Sequence, residues 1–311
     1  MVENEERIQF EMIAAVEKYI SQKEIQDYLS RFIEQKAEGR FPFGKLAVSH
    51  YCAFGGEHKD IYKAAAAVEL VILSLDIFDD LQDQDNDLML WSQIALPVSM
   101  NLATGLLTLG IQLLCDTAFA IEKKMNALAF INSLVTNAVS GQHKDITNAV
   151  RSEAEYIQTT KEKSGSLLAM ACLVGTALVT AEHHAAVRQY GEHVGIAAQI
   201  HNDIVDITRR DRKNDILHKK RTLPALFFLQ KNERIKKYYE GTLEQHQILA
   251  DKHAIVDEIK KSGVIEYAQV VARIHLYQAA NLIQAMDISS EVKTKLFVSL
   301  DIPQNMAGSR N

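Results

Sequence analysis

From Ala64 to Phe78 the chain reads AAAAVELVILSLDIF, apolar nearly all round, and it runs without a break into Asp79-Asp80-Leu81-Gln82-Asp83. A helix that is greasy on every face belongs in the centre of a bundle rather than on its surface. Asp79 and Asp83 then lie one turn apart on one face with Asp80 flanking them, so like charges converge at the end of a buried element. That arrangement costs free energy unless a cation neutralises it. Mg²⁺ would suit, because it takes oxygen ligands and is typically held by one or two carboxylates plus substrate phosphates; taken alone, the cluster reads equally as an acidic helix end in water, helped by Asp85 and Asp87 just beyond.

The rest of the chain supports an all-α fold. Apolar residues recur at three- and four-residue spacing with no sustained alternation, and 14 Gly and 4 Pro are too few for the turns of a sandwich or barrel. One or two helices are expected over residues 1–38, and another from Lys45 to Phe54, stopped by Gly55-Gly56. Further helices are expected over 92–120, 124–141, 153–161, 164–181, 185–208, 222–231 and 235–262, with a last group over 264–300. With 47% hydrophobic residues and no low-complexity linker, residues 1–303 are read as a single domain, and the polar residues 304–311 as a disordered tail.

The net charge of -6 suggests neither a nucleic-acid partner nor an anionic-membrane surface. Cys52, Cys115 and Cys172 lack both a disulfide framework and metal-ligand spacing. The start, MVENEERIQF, is acidic where a secretory signal would be basic. The stretch from Leu167 to Ala181 is shorter than the roughly 20 residues of a spanning helix and reads as core. A cytoplasmic protein without a transmembrane segment is expected, with peripheral membrane association left open.

A second polar cluster sits on another apolar helix. In GIAAQIHNDIVDI, Asn202, Asp203 and Asp206 fall at i, i+1 and i+4, with Gln199 one turn before Asp203. Two such helices face to face would cage several Mg²⁺ ions and a diphosphate. Lys163 and Lys220 are placed to complete the site, Lys163 just before a helix whose N-terminal amides would also favour an anion. A diphosphate neutralised in this way leaves an allylic carbon readily, and a water-poor interior shelters the resulting carbocation. Ser74 and Leu75 are expected along the prenyl tail, and Asp76 in the pocket wall or in a buried ion pair. His50, His143 and His201 read first as ordinary structural histidines. By composition alone, TRRDRKNDILHKKRTLP (Thr208 to Pro224) is a solvated loop.

On these residues the chain resembles the trans-isoprenyl diphosphate (polyprenyl) synthase family from about Gly39 to Pro224. VELVILSLDIFDDLQD is similar to that family's first aspartate-rich motif and the helix before it, including Glu69. Gly141, Gln142 and Asp145 resemble its Gly-Gln-x-x-Asp element, and Lys163-Ser164-Gly165 its Lys-Thr-Gly. QIHNDIVDI resembles the second aspartate-rich motif with Asn202 in place of its first Asp, and Asp215 to Pro224 keeps the spacing of Asp, Lys, Thr, Leu and Pro. The resemblance implies an isoprenoid-synthase-type helical bundle with a central cavity between two Asp-rich helices, and a homodimer. It also implies Mg²⁺, two to three ions, held by Asp79, Asp80, Asp83, Asn202, Asp203 and Asp206, with Lys163, Lys220 and Gln199 on the diphosphate.

The departures from the family pattern concern the acceptor. Members that add isopentenyl diphosphate hold it with a Gly-Lys-x-x-Arg-Pro element and an Arg-Arg pair, where this chain has Gly39-Arg40-Phe41-Pro42-Phe43-Gly44 and Leu88-Met89. Only Arg40 could stand in for three lost cations, each worth roughly 1.5 kcal/mol or more as a charge-assisted hydrogen bond. The sequence, with HYCAFGGE at His50 to Glu57, resembles the ComQ-type pheromone prenyl transferases. That resemblance implies farnesyl or geranyl transfer from the allylic diphosphate to a Trp side chain of a ComX-type precursor peptide, in quorum sensing and competence. The rival readings are a short-chain farnesyl or geranylgeranyl diphosphate synthase, a class I terpene cyclase and a non-catalytic partner subunit.

Overall fold

The computed structural model describes residues 2–83, 86–211 and 214–306. Among them there is no strand. The helices are α1 (Val2–Tyr19), α2 (Lys23–Ala37), α3 (Pro42–Ala53), α4 (Ile61–Asp83), α5 (Leu96–Cys115), α6 (Ile121–Ile146) and α7 (Glu153–Thr160). They continue with α8 (Ser166–Ala177), α9 (His184–Ile207), α10 (Leu223–Leu229), α11 (Glu233–Tyr239), α12 (Gln245–Leu249), α13 (Lys252–Lys261), α14 (Val264–Ala285) and α15 (Ser290–Ser299).

The all-round apolar character of α4 gives it the central place. Ala64 to Ser74 are all buried, and α4 packs against α1, α3, α5 and α8. α8, the Leu167–Ala181 stretch, is almost wholly buried and touches both α4 and α9, so it spaces the two Asp-rich helices. Two glycines allow the close approaches this requires. A Cβ on Gly175 would lie 2.1 Å from the Ala47 carbonyl oxygen of α3, and one on Gly195 of α9 would lie 2.6 Å from the Gly165 Cα. Only hydrogen fits at either crossing, and the second draws α9 against the Lys163–Gly165 segment.

Several boundaries differ from the expected ones. Residues 235–262 form parts of three short helices rather than one, because Gly241 takes φ +80 after α11 and Glu244 caps α12. Residues 2–38 hold two helices, within the expected one or two, parted where Gln22 is extended. Gln304–Met306 form a 3-10 turn with Met306 packed on the core, so order extends past the expected start of the tail, and residues 307–311 lie outside the described residues. α5 is long and apolar enough to cross a membrane by length and composition, yet it packs along α4 within the bundle.

Candidate active site

α4 and α9 open onto one cleft of about 420 Å³. Asp79 and Asp83 line it from α4, Asn202, Asp203 and Asp206 from α9, and Lys163, Gln199 and Lys220 complete the wall. Acidic groups more than a hundred residues apart therefore share one chamber, as the metal-cage reading requires.

Each carboxylate is held by a specific donor. Asp79 Oδ1 accepts from Gln142 Nε2 at 2.7 Å and from Lys163 Nζ at 3.1 Å, and Lys163 also reaches Asp145 Oδ2 at 2.7 Å. Lys220 donates to Asp83 Oδ2 at 2.8 Å. Asp203, 3% exposed, accepts from Tyr156 Oη at 2.5 Å and from Gln199 Nε2 at 2.8 Å, while Ser164 Oγ donates to Gln199 Oε1 at 2.7 Å. Tyr156 is a cleft residue that the motif reading did not single out, although it shares a helix face with Thr160 and Lys163 at spacings of four and three.

The electrostatics mark a surplus of buried acid. Burial, with Asp145 and Asp206 adding to it, pushes the Asp203 carboxyl up to about 6 against the hydrogen bonds of Tyr156 and Gln199. Burial, and then the nearby Asp203, raises Asp215 well above the carboxylate range. Burial likewise raises Asp83 in spite of Lys220. Burial alone would lower the Lys163 ammonium, but Asp79 and Asp145 outweigh it and hold the group above its ordinary value. An all-oxygen donor set with uncompensated charge suits a hard divalent ion. Among the described residues no three such ligands converge on one point. The carboxylates thus fit Mg²⁺ that is shared with a diphosphate better than a closed protein cage.

The described residues of the segment Thr208 to Pro224 are only partly solvated: Arg210, Asp211 and His218 are exposed, but its centre is not. Asn214, Asp215, Ile216 and Leu217 are buried, and Asn214 Nδ2 donates to the carbonyls of Ile207 and Arg209. Tyr238 and Tyr239 donate to the carbonyls of Leu217 and Lys220 at 2.7 and 2.9 Å. Ile207, Ile216, Phe228 and Tyr238 form a small core of their own beneath it, which aims Asp215, Lys220 and Thr222 into the cleft. Composition counts the charges of this segment but not the carbonyls that pin it.

Four expected placements are corrected. Asp80 does not line the cleft; one residue on from Asp79 turns it about 100° around the helix, where it accepts from Asn86 Nδ2 at 3.0 Å and Trp91 Nε1 at 2.8 Å. Ser74 is fully buried and donates to the Ala103 carbonyl of α5 at 2.7 Å, and Leu75 packs on the main core, so neither reaches the cleft. Asp76 is not among the four: of the two placements expected for it, it takes the ion pair, with Lys36 of α2 at 2.6 Å. Lys163 does not precede a free helix N-terminus: α7 passes through a π-helical turn, Lys161–Gly165, into α8 with helical dihedrals throughout, so its side chain alone can serve an anion. Of the histidines, His50 is buried against the Leu46 carbonyl, and the exposed His143 and His201 do not line the cleft.

The segments that would make a second diphosphate site do meet, but without its cations. The end of α2 touches residues 86–90 through Leu90 N donating to Gln35 Oε1 at 3.0 Å. Lys36 is bonded to Asp76 and lies 3.9 Å from Glu69, Arg40 is exposed at φ 61, and Leu88 is exposed.

Comparison with known proteins agrees with this geometry. The profile of the family described as polyprenyl synthetase matches residues 23–259. Tryptophan prenyltransferase ComQ of Bacillus spizizenii is 32% identical over 84% of this chain and 92% of its own. The protein of that name from Bacillus subtilis strain 168 is 31% identical over 89% and 92%. A polyprenyl synthase from Caulobacter crescentus, solved with calcium and isoprenyl diphosphate, shares the fold with a TM-score of 0.79, 18% identity and coverage of 99% of this chain and 95% of that one. The all-α bundle, the shared cleft and these matches lead to one assignment: the chain is a prenyltransferase that belongs to the polyprenyl synthetase family.

Proposed function

We propose that the protein transfers a farnesyl or geranyl group from its allylic diphosphate to the indole of a tryptophan in a small ComX-type precursor peptide. The observation that carries this reading is the fate of Lys36. The Lys36 ammonium, at the end of α2 beside the segments that depart from the family's acceptor-diphosphate pattern, is already bonded to Asp76, whereas the cations of the first site, Lys163 and Lys220, line one cleft.

In this reading Lys163 and Lys220 bind the allylic diphosphate and stabilise the charge that develops on its bridging oxygen. Asp79, Asp83, Asp203 and Asp206, with Asn202 beside them, would hold two to three Mg²⁺, which neutralise the leaving diphosphate when bound. Gln142, Gln199 and Tyr156 fix the carboxylate orientations by the bonds described above. The prenyl C1–O bond breaks with its electron pair on the diphosphate, and the indole C3 electron pair forms the new bond to C1. The indole then carries an N1=C2 iminium with N1–H retained. Closure of a backbone nitrogen onto C2 gives that pair back to N1, and the nitrogen's proton passes to the released diphosphate or to water.

Residues 1–303 act as one domain in this proposal, in the cytoplasm and as a homodimer. Exposed apolar residues such as Leu96 and Met100 of α5 and Met125 and Val139 of α6 are what a second copy would cover.

The test is incubation with Mg²⁺, labelled farnesyl diphosphate and either isopentenyl diphosphate or a Trp-containing peptide. Label in the peptide supports the proposal. Label in a longer diphosphate replaces it with the short-chain synthase, volatile hydrocarbon with a terpene cyclase, and no turnover with a non-catalytic subunit.

A further inference from the structure

One stripe of α4 carries three carboxylates, Glu69, Asp76 and Asp80, at spacings of seven and four residues, and each meets a different element. Glu69 is fully buried, and its Oε1 accepts from Gly44 N at 2.6 Å. Asp80 has both oxygens engaged, by Asn86 and by Trp91. Asp76 differs: its side chain is 43% exposed and only Oδ2 is taken, by Lys36. Lys36 is itself largely buried at 14% exposure and lies between Asp76 and Glu69, so it fixes the Asp76 carboxylate through Oδ2, while Oδ1 accepts no hydrogen bond among the described residues.

We propose that Asp76 Oδ1 receives the indole N–H of the acceptor tryptophan, with Lys36 as the residue that positions it. This inference rests on the tryptophan-prenyl-transfer reading above and names the group that orients the acceptor. Three observations support it. Asp76 stands one turn before Asp79, at the i−3 position that neighbours it on the helix surface, so an indole bound there would lie next to the cleft that Asp79 lines. C3 alkylation places a positive charge on the N1–C2 unit, and a fixed carboxylate at N1–H stabilises that charge as it develops, which is where electrostatic catalysis has its largest effect. The same stripe already holds an indole in this way: one turn along, Trp91 Nε1 donates to Asp80 Oδ2 at 2.8 Å. A carboxylate on this face accordingly has the reach and the direction to receive an indole N–H. The site also selects against a diphosphate acceptor, which the Asp76 charge repels.

The test compares a peptide carrying one tryptophan with the same peptide carrying 1-methyltryptophan, both with Mg²⁺ and farnesyl diphosphate. The native protein is expected to prefer the tryptophan peptide by about ten- to a hundredfold in kcat/KM, the range of one charge-assisted hydrogen bond. In Asp76→Ala the preference collapses to about one, because only the N–H peptide loses a partner. In Lys36→Met it shrinks without vanishing. The ratio of the two peptides is internal to each protein preparation, so a loss of folded fraction cancels. A preference unchanged in Asp76→Ala, or equal use of both peptides by the native protein, overturns the inference and leaves the transfer reading standing. Prenylation of neither peptide by the native protein overturns both.

Discussion

Lys220 Nζ lies 2.8 Å from Asp83 Oδ2, joining the end of α4 to a residue 137 positions further along the chain. Both residues line the cleft, and in the proposed reaction the pair keeps an ammonium ready for the allylic diphosphate. Lys220→Met is expected to raise KM for the allylic diphosphate and to lower kcat, together about a hundredfold in kcat/KM, since the lost contact strengthens as the leaving oxygen gains charge. Steady-state kinetics with saturating peptide check it, and a change confined to the peptide KM would count against this role.

Asp79→Asn and Asp203→Asn act on opposite walls of the cleft. Each should cost about 3 kcal/mol of transition-state stabilisation, roughly a hundredfold in rate, with helix content unaltered. Kinetics and far-ultraviolet circular dichroism of the same samples decide the matter. Near-normal turnover in either variant would remove the metal-cage reading.

The hydrogen bond from Tyr156 opposes the upward shift of the Asp203 carboxyl, which stands at about 6. Tyr156→Phe removes that opposition, so the carboxyl should rise further and bind its proton at higher pH. Protons compete with cations for the same oxygens. The affinity of the metal-free protein for Mg²⁺ is therefore expected to begin falling at a higher pH in the variant, as read by titration calorimetry over about pH 5 to 8.

His50 is fully buried, and burial lowers its pKa from 6.5 to about 4. The unfolded chain takes up this proton before the folded one. The contribution of His50 is thus fully present above pH 6.5 and lost as pH falls towards 4, a change of about 3 kcal/mol. Denaturant unfolding of native protein and His50→Gln at both ends of that window should give a shallower pH dependence in the variant.

Much of the fold is legible in the sequence. The central helix follows from the all-round apolar run at Ala64 to Phe78, and the two acidic motifs from their spacing, because helix period and charge crowding are local properties. Asp79, Asp83, Asp203, Lys163 and Lys220 stand in motifs read in this way, and all five line one cleft. Sequence spacing did not separate Asp79 from Asp80, although one faces the cleft and the other holds Trp91. Composition alone read Thr208 to Pro224 as a solvated loop, because nothing local announces that Asn214 and two tyrosines will fasten its backbone.

The sequence by itself determined that helices would form, which of them would be central, and that carboxylates would crowd at the end of two of them. Those outcomes depend on residues within a few turns of one another. Only the tertiary structure decided which oxygens share the cleft, that α7 runs unbroken into α8 past Lys163, and that Lys36 joins Asp76. Such pairings bring together groups tens of residues apart, and their strength depends on distance and burial, which chain order does not encode.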